Sequence, residues 1–455
     1  LLEAEDVTFT SVYDSRDAAG GPTYREAQDP EPGDWAGIGF YESSNRSYLR
    51  NCLVQYAGED HHGAVSMQRS SPELTDITIV DAAWYPLSVD ADSFPTISQL
   101  TLNENAPGDA VEVRGSSAVT GRNERTWEVL GGEPQIVRVI RGDVTVEPEA
   151  VLSIEPGVVV KFEEDGRLVV KGTLHAVGEG IDRNPIVFTS LRDADYGGDT
   201  DKTTGPQDKR TWRGIVFDAA DQNSILQDCV VRYASVSLND ASPRLIDNLV
   251  VDSESAGFWA SPGASPELRG NRLESNGMNA LAIWKGELRA DQEWSRIGEG
   301  DRQLVRVLAG EVTVADEATL RIEPGTIIKV SSDGRLRVLG GLRALGQADL
   351  PIVFTSVNDD TAGGDTNQKL QEADAGDWPG IEVRAEADVR FGYAEIRYAE
   401  WGLSLHGGNL PSIEGWLRVS DGKNAVWCDA DVQLPDSLQA HGNEINEIQC
   451  PTDQG

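Results

Sequence analysis

Two short acidic stretches hold the densest group of potential ligands in this sequence. Asp193, Asp195, Asp199 and Asp201 place four carboxylates in nine residues around Gly197-Gly198, and Asp359, Asp360, Asp365 and Asn367 repeat the pattern around Gly363-Gly364, with Asp377 following. Closely spaced oxygen donors on a glycine-hinged backbone are what hard cations such as calcium bind. Both stretches are therefore candidate calcium sites, the alternative being a solvated acidic insertion. Neither has the spacing of an EF-hand loop or of the glycine-rich nonapeptide of calcium-binding β-rolls. A weaker third version keeps Asp14, Asp17 and Gly20-Gly21 but has Pro22 and Thr23 where the others have Asp and Thr.

Other chemistry is thinner. A polysaccharide hydrolase needs two carboxylates with His, Arg and Lys around the sugar. Asp359-Asp360 is a carboxylate pair but lies in an insertion, while His61-His62-Gly63 and His406-Gly407 read as lacking accompanying aspartates or basic groups. No stretch has the base beside a calcium-neutralised carboxylate that a lyase needs. Of eleven tryptophans, Trp84, Trp259, Trp284, Trp401 and Trp427 offer faces for sugar stacking, whereas Trp35, Trp212 and Trp378 recur at matching places and read as packing residues.

The acidic stretches belong to a long repeat. Pro185-Ile186-Val187-Phe188-Thr189-Ser190 returns as Pro351-Ile352-Val353-Phe354-Thr355-Ser356, and Val7-Thr8-Phe9-Thr10-Ser11 is a third copy. Behind them stand Gly33-Asp34-Trp35, Trp212-Arg213-Gly214 and Gly376-Asp377-Trp378, then Tyr56-Ala57, Tyr233-Ala234 and Tyr398-Ala399. The middle copy departs by having Lys209-Arg210-Thr211 where the others have Gly-Asp. Self-similarity at long period is the signature of a solenoid.

A shorter period runs inside each unit. Pro72 and Pro95, like Pro243 and Pro266, are 23 residues apart, and Leu152 and Leu174 are 22 apart. Segments such as Val144-Thr145-Val146, Leu152-Ser153-Ile154 and Val158-Val159-Val160-Lys161-Phe162 alternate with period two and are separated by turns such as Glu155-Pro156-Gly157, so they read as strands. About three short strands per period fit one coil of a parallel β-helix. A leucine-rich repeat has a comparable period but needs Leu and Asn positions and a helical side that are missing here. Asn105, Asn271 and Asn276 near coil corners are candidates for amide ladders. Cys428 and Cys450, one coil apart at 22 residues, are within reach of a disulfide or remain two thiols, and Cys52 and Cys229 read as buried fillers.

The ordered set of Trp127, Val144-Thr145-Val146, Ile154-Glu155-Pro156-Gly157, Pro185-Ile186-Val187-Phe188-Thr189-Ser190, Gly197-Gly198-Asp199-Thr200, Trp212 and Val231-Arg232-Tyr233-Ala234 resembles the right-handed parallel β-helix repeat proteins of bacterial envelopes. The resemblance covers nearly the whole sequence and implies an all-β solenoid of surface or secreted type. We expect one continuous solenoid with units at 1–126, 127–290 and 291–455, each carrying an acidic loop insertion. The start Leu1-Leu2-Glu3-Ala4-Glu5 falls inside a repeat unit, so the sequence reads as a segment of a longer polypeptide.

Acidic residues exceed basic ones by 37, a balance that argues against nucleic acid and anionic membrane surfaces as partners. No apolar run approaches the length of a membrane span. The expectation is a non-catalytic, extracellular or cell-surface structural or adhesive segment with calcium-stabilised loops. Its partners would be surface glycans or other copies of itself, joined laterally or head-to-tail into filaments. The alternative is a polysaccharide-binding or polysaccharide-degrading protein on the same scaffold.

Overall fold

The computed structural model describes residues 1–16, 20–21, 29–131, 135–201, 212–298, 303–407, 410–429 and 434–450. Asp17, Pro22, Thr23, Lys209, Arg210 and Thr211 of the sequence motifs lie outside the described residues. The chain divides into two compact units, Leu1–Ala234 with Ile246–Leu249, and Ser235–Leu245 with Val250–Gly455.

In the first unit the period-two segments form short strands that wind into coils. Asp143–Val146, Val151–Ile154 and Val159–Phe162 make three sides of one coil. The next coil lays Arg167–Val170, Thr173–Val177 and Ile186–Ser190 parallel to these strands in the same order. Inward residues then stack by type. Val144, Leu168 and Ile215 form one ladder and Val146, Val170 and Phe217 another, all with 0% exposure. Burying each such side chain stabilises the coil by about 1.5–3 kcal/mol. The coil turns at Glu155-Pro156-Gly157, where Gly157 has φ 86° and supplies the left-handed position that a Pro-Gly turn demands.

The second unit repeats this construction. Gly286–Leu288, Glu311–Val314, Arg335–Val338, Ile381–Val383, Trp401–Leu405, Asn424–Cys428 and Asn446–Gln449 stack as a seven-stranded parallel sheet. Ile381, Val383, Leu403, Leu405 and Val426 point inward and are at most 1% exposed, so the residues between them must face outward.

Each unit is thus a parallel β-solenoid. The described residues contain one short helical turn, Glu59–His61, and no helix long and apolar enough to cross a membrane. The buried corner asparagines bond to main chain. Asn105 donates to the Ile79 carbonyl at 3.0 Å and accepts from the Ala82 N–H at 3.0 Å, and Asn276 does the same with Val250 and Ser253. Asn271 donates to the Leu245 carbonyl at 2.7 Å. Cys52 and Cys229 are buried free thiols.

Candidate functional site

Each copy of the repeated motif folds into the same lock. The threonine of the motif donates to the first aspartate of the acidic stretch: Thr10 to Asp14 at 2.8 Å, Thr189 to Asp193 at 2.6 Å and Thr355 to Asp359 at 2.6 Å. These aspartates are 2%, 1% and 1% exposed, too deep to be left unpaired. The residue preceding the repeated tyrosine provides a second partner. Gln55 donates to Asp14 at 2.8 Å, Arg232 to Asp193 at 2.8 Å, and Arg397 lies 3.6 Å from Asp359. Its own carbonyl then accepts the indole N–H of the repeated tryptophan, at 2.9 Å for Trp35, 2.7 Å for Trp212 and 2.8 Å for Trp378. Tyr56, Tyr233 and Tyr398 are held at φ 59°, 64° and 60°, a left-handed backbone that costs a bulky residue roughly 1–2 kcal/mol.

The lock fastens a lid. In the first unit, Leu191 and Tyr196 of the acidic stretch pack on an apolar patch outside the coil, formed by Tyr85, Val137, Val139, Val159 and Val187 among others. Gly197 crosses so close to Val137 that an added Cβ would meet its Cγ1 at 2.2 Å. Under this lid lies Lys161, whose ammonium donates to the carbonyls of Asp193 at 2.8 Å and Gly198 at 2.5 Å. In the second unit, Val357 covers Ala280, Val305 and Val307, Gly363 abuts Val305, and Lys329 donates to the Gly364 carbonyl at 2.6 Å. Two of only eight lysines in the sequence are therefore 0% exposed, each aimed at the glycine turn of an acidic stretch.

Burial pushes both lysines down to about 8 from an ordinary value of 10.5, with Asp193 partly opposing at Lys161 and Asp360 at Lys329. Below pH 8 both folded and unfolded chains carry the charge, and the folded state bears the full cost of burying it. Between pH 8 and 10.5 the unfolded chain binds more protons, so this contribution to stability rises with pH. Relative to Lys329→Met, the wild type is expected to gain about 2–3 kcal/mol between pH 7 and pH 10, at 1.36 kcal/mol per pKa unit. Denaturant midpoints of the pair at both pH values measure it, and a constant gap would refute a buried ammonium.

The remaining carboxylates are dispersed. Asp195 accepts from Arg232 at 2.9 Å, while Asp199 and Asp360 are exposed and Asp201 is half-buried. Asp365 accepts from the Gln368 N–H at 2.7 Å, Asn367 donates to Asn358 at 2.8 Å, and Asp377 accepts from Ser356 at 2.5 Å. Among the described residues, no three His, Cys, Asp or Glu side chains gather into a group that could hold a metal ion. Cys428 and Cys450 are joined in a disulfide at the end of neighbouring strands.

A second constellation forms in the second unit, where the linear reading found none. His406 is not isolated. Its Nε2 lies 3.8 Å from Glu382 and its Nδ1 3.3 Å from Asp429, and its ring is 5.0 Å from that of Trp427. Glu382, 7% exposed, is also approached by Arg384 at 2.6 Å and by Arg335 and Arg337 at 3.2 Å. Glu382, His406 and the three arginines line a cleft of about 460 Å³ together with Glu400, Trp401, Ser404, Trp427 and Gln449, and Asp429 is not part of the lining. The coil period carries the signal: Arg384, His406 and Asp429 are 22 and 23 residues apart, as are Glu382, Ser404 and Trp427.

Fold and locks together define a parallel β-helix repeat protein. No family model matches the sequence, and no curated protein or solved structure matches it.

Proposed function

We propose that the chain is a non-catalytic structural and adhesive β-solenoid of the cell surface or extracellular space. The observation that carries this reading is the use made of the repeated motif. Its Thr, Asp, Arg or Gln, and Trp all bond one another or the main chain, and in the second and third copies this lock fastens a lid to the coil. The Cys428–Cys450 disulfide supports an oxidising compartment. The large acidic excess supports solubility outside a packed assembly. Calcium has a secondary place in this proposal: exposed Asp199 and Asp360 can recruit it at the lid rims, while buried Asp193 and Asp359 serve the protein's own cations.

A depolymerisation assay on acidic and neutral polysaccharides, with calcium and with chelator, tests the reading. New reducing ends or unsaturated products are expected to be absent throughout. Sustained cleavage in any arm would overturn it.

A further inference from the structure

We propose that the cleft around Glu382 binds an acidic saccharide, a chain of uronate-type pyranoses, and so supplies the adhesive contact. This inference rests on the adhesive reading above. The volume of about 460 Å³ falls within the roughly 300–1,000 Å³ of ligand pockets. Its shape follows from the strand register. Arg337, Glu382, Ser404, Trp427 and Gln449 each lie opposite the next on successive parallel strands, giving one straight outward row. Four steps of about 4.8 Å make a row roughly 19 Å long, suited to several linked rings rather than one.

The chemistry of the lining points to carboxylated sugar. Half-buried Trp401 and Trp427, on neighbouring strands, offer apolar faces for pyranose rings while Ser404 and Gln449 offer hydrogen bonds to hydroxyls. Arg335, Arg337 and Arg384 outnumber the lining carboxylates Glu382 and Glu400, in a protein whose net charge is -37. Three guanidiniums carry about fifteen N–H donors, whereas one carboxylate offers about four acceptor sites. Glu382 therefore positions the arginines without saturating them, even with Glu311 also pairing to Arg337 at 3.1 Å. Planar guanidinium donors fit a ligand carboxylate, so discrimination against neutral sugars arises at short range.

Calorimetric titration of the full chain with hexagalacturonate, and with cellohexaose as the neutral counterpart, tests this. Saturable binding of the acidic oligomer, weakened by salt, is expected, with the neutral one at least tenfold weaker, roughly the value of one good charge-assisted contact. Trp427→Ala and Arg384→Gln are each expected to weaken binding about tenfold or more. Arg384 is 45% exposed in its side chain, so its replacement leaves the fold intact and keeps the test decisive if Trp427→Ala fails to fold. Absence of saturable binding, equal binding of the neutral oligomer, or an unaltered Arg384→Gln would overturn the site and leave the scaffold reading standing. Cleavage of the oligomer with binding retained would do the reverse.

Discussion

Asp193→Ala is expected to destabilise the first unit by about 3–5 kcal/mol, the range for removing one partner of a buried charged pair. The carboxylate is 1% exposed and is surrounded by donors: Thr189 at 2.6 Å, Arg232 at 2.8 Å and the Asp195 N–H at 3.1 Å. Its loss leaves Arg232 half-buried with Asp195 as its remaining partner and removes the carboxylate that acts most strongly on Lys161. The lid over Val137, Val139 and Val159 then loses the anchor at its start, and an apolar patch opens to water. Asp193→Asn should cost less, because the amide oxygen still accepts from Thr189. Denaturant unfolding followed by tryptophan emission measures both, and a loss below about 1 kcal/mol for the alanine variant would mean the lock is ornamental.

Trp378→Ala is expected to cost a comparable 3–5 kcal/mol in the second unit. The indole is 1% exposed and bonds the Arg397 carbonyl at 2.8 Å, fixing the backbone just ahead of Tyr398 in its left-handed conformation. Alanine would leave a cavity and an unpaired carbonyl together. Trp378→Phe keeps most of the ring and forfeits the hydrogen bond, so its cost should fall to about 1–2 kcal/mol. Thermal melting of the two variants should rank them in that order. Equal melting temperatures of the two variants would show that the indole bond they both lack, and not ring packing, holds this corner.

Coils and turns were legible because period-two strands and Pro-Gly turns act locally. The spacing of Leu152 and Leu174 already announced one stacked above the other, and they are register partners. The locks were half legible. Thr, Asp, Trp and the residue before Tyr recur in order, but that Arg232 and Gln55 do the same work at different copies depends on which side chain reaches the buried carboxylate. Nothing in the sequence marks Lys161 and Lys329, because each occupies an outward position where lysine normally meets water. Only an insertion some thirty residues later in the chain covers them. The Glu382 cleft is not legible in any short motif because its members are singletons: only the coil period links Glu382 to Ser404 and Trp427, and strand register puts them on one face.

That the acidic lids are held by the protein's own lysines and arginines is tested most directly by hydrogen–deuterium exchange across residues 159–201, in calcium and in chelator. The Leu191 amide bonds the Phe162 carbonyl at 2.7 Å and the Asp193 amide the Ser190 carbonyl at 3.0 Å. Both should be protected in the wild type in either solution, and should lose protection in Lys161→Met while the strand Val159–Phe162 stays protected. Lid amides that exchange freely in the wild type until calcium is added would contradict the account and return these loops to the role of ion sites.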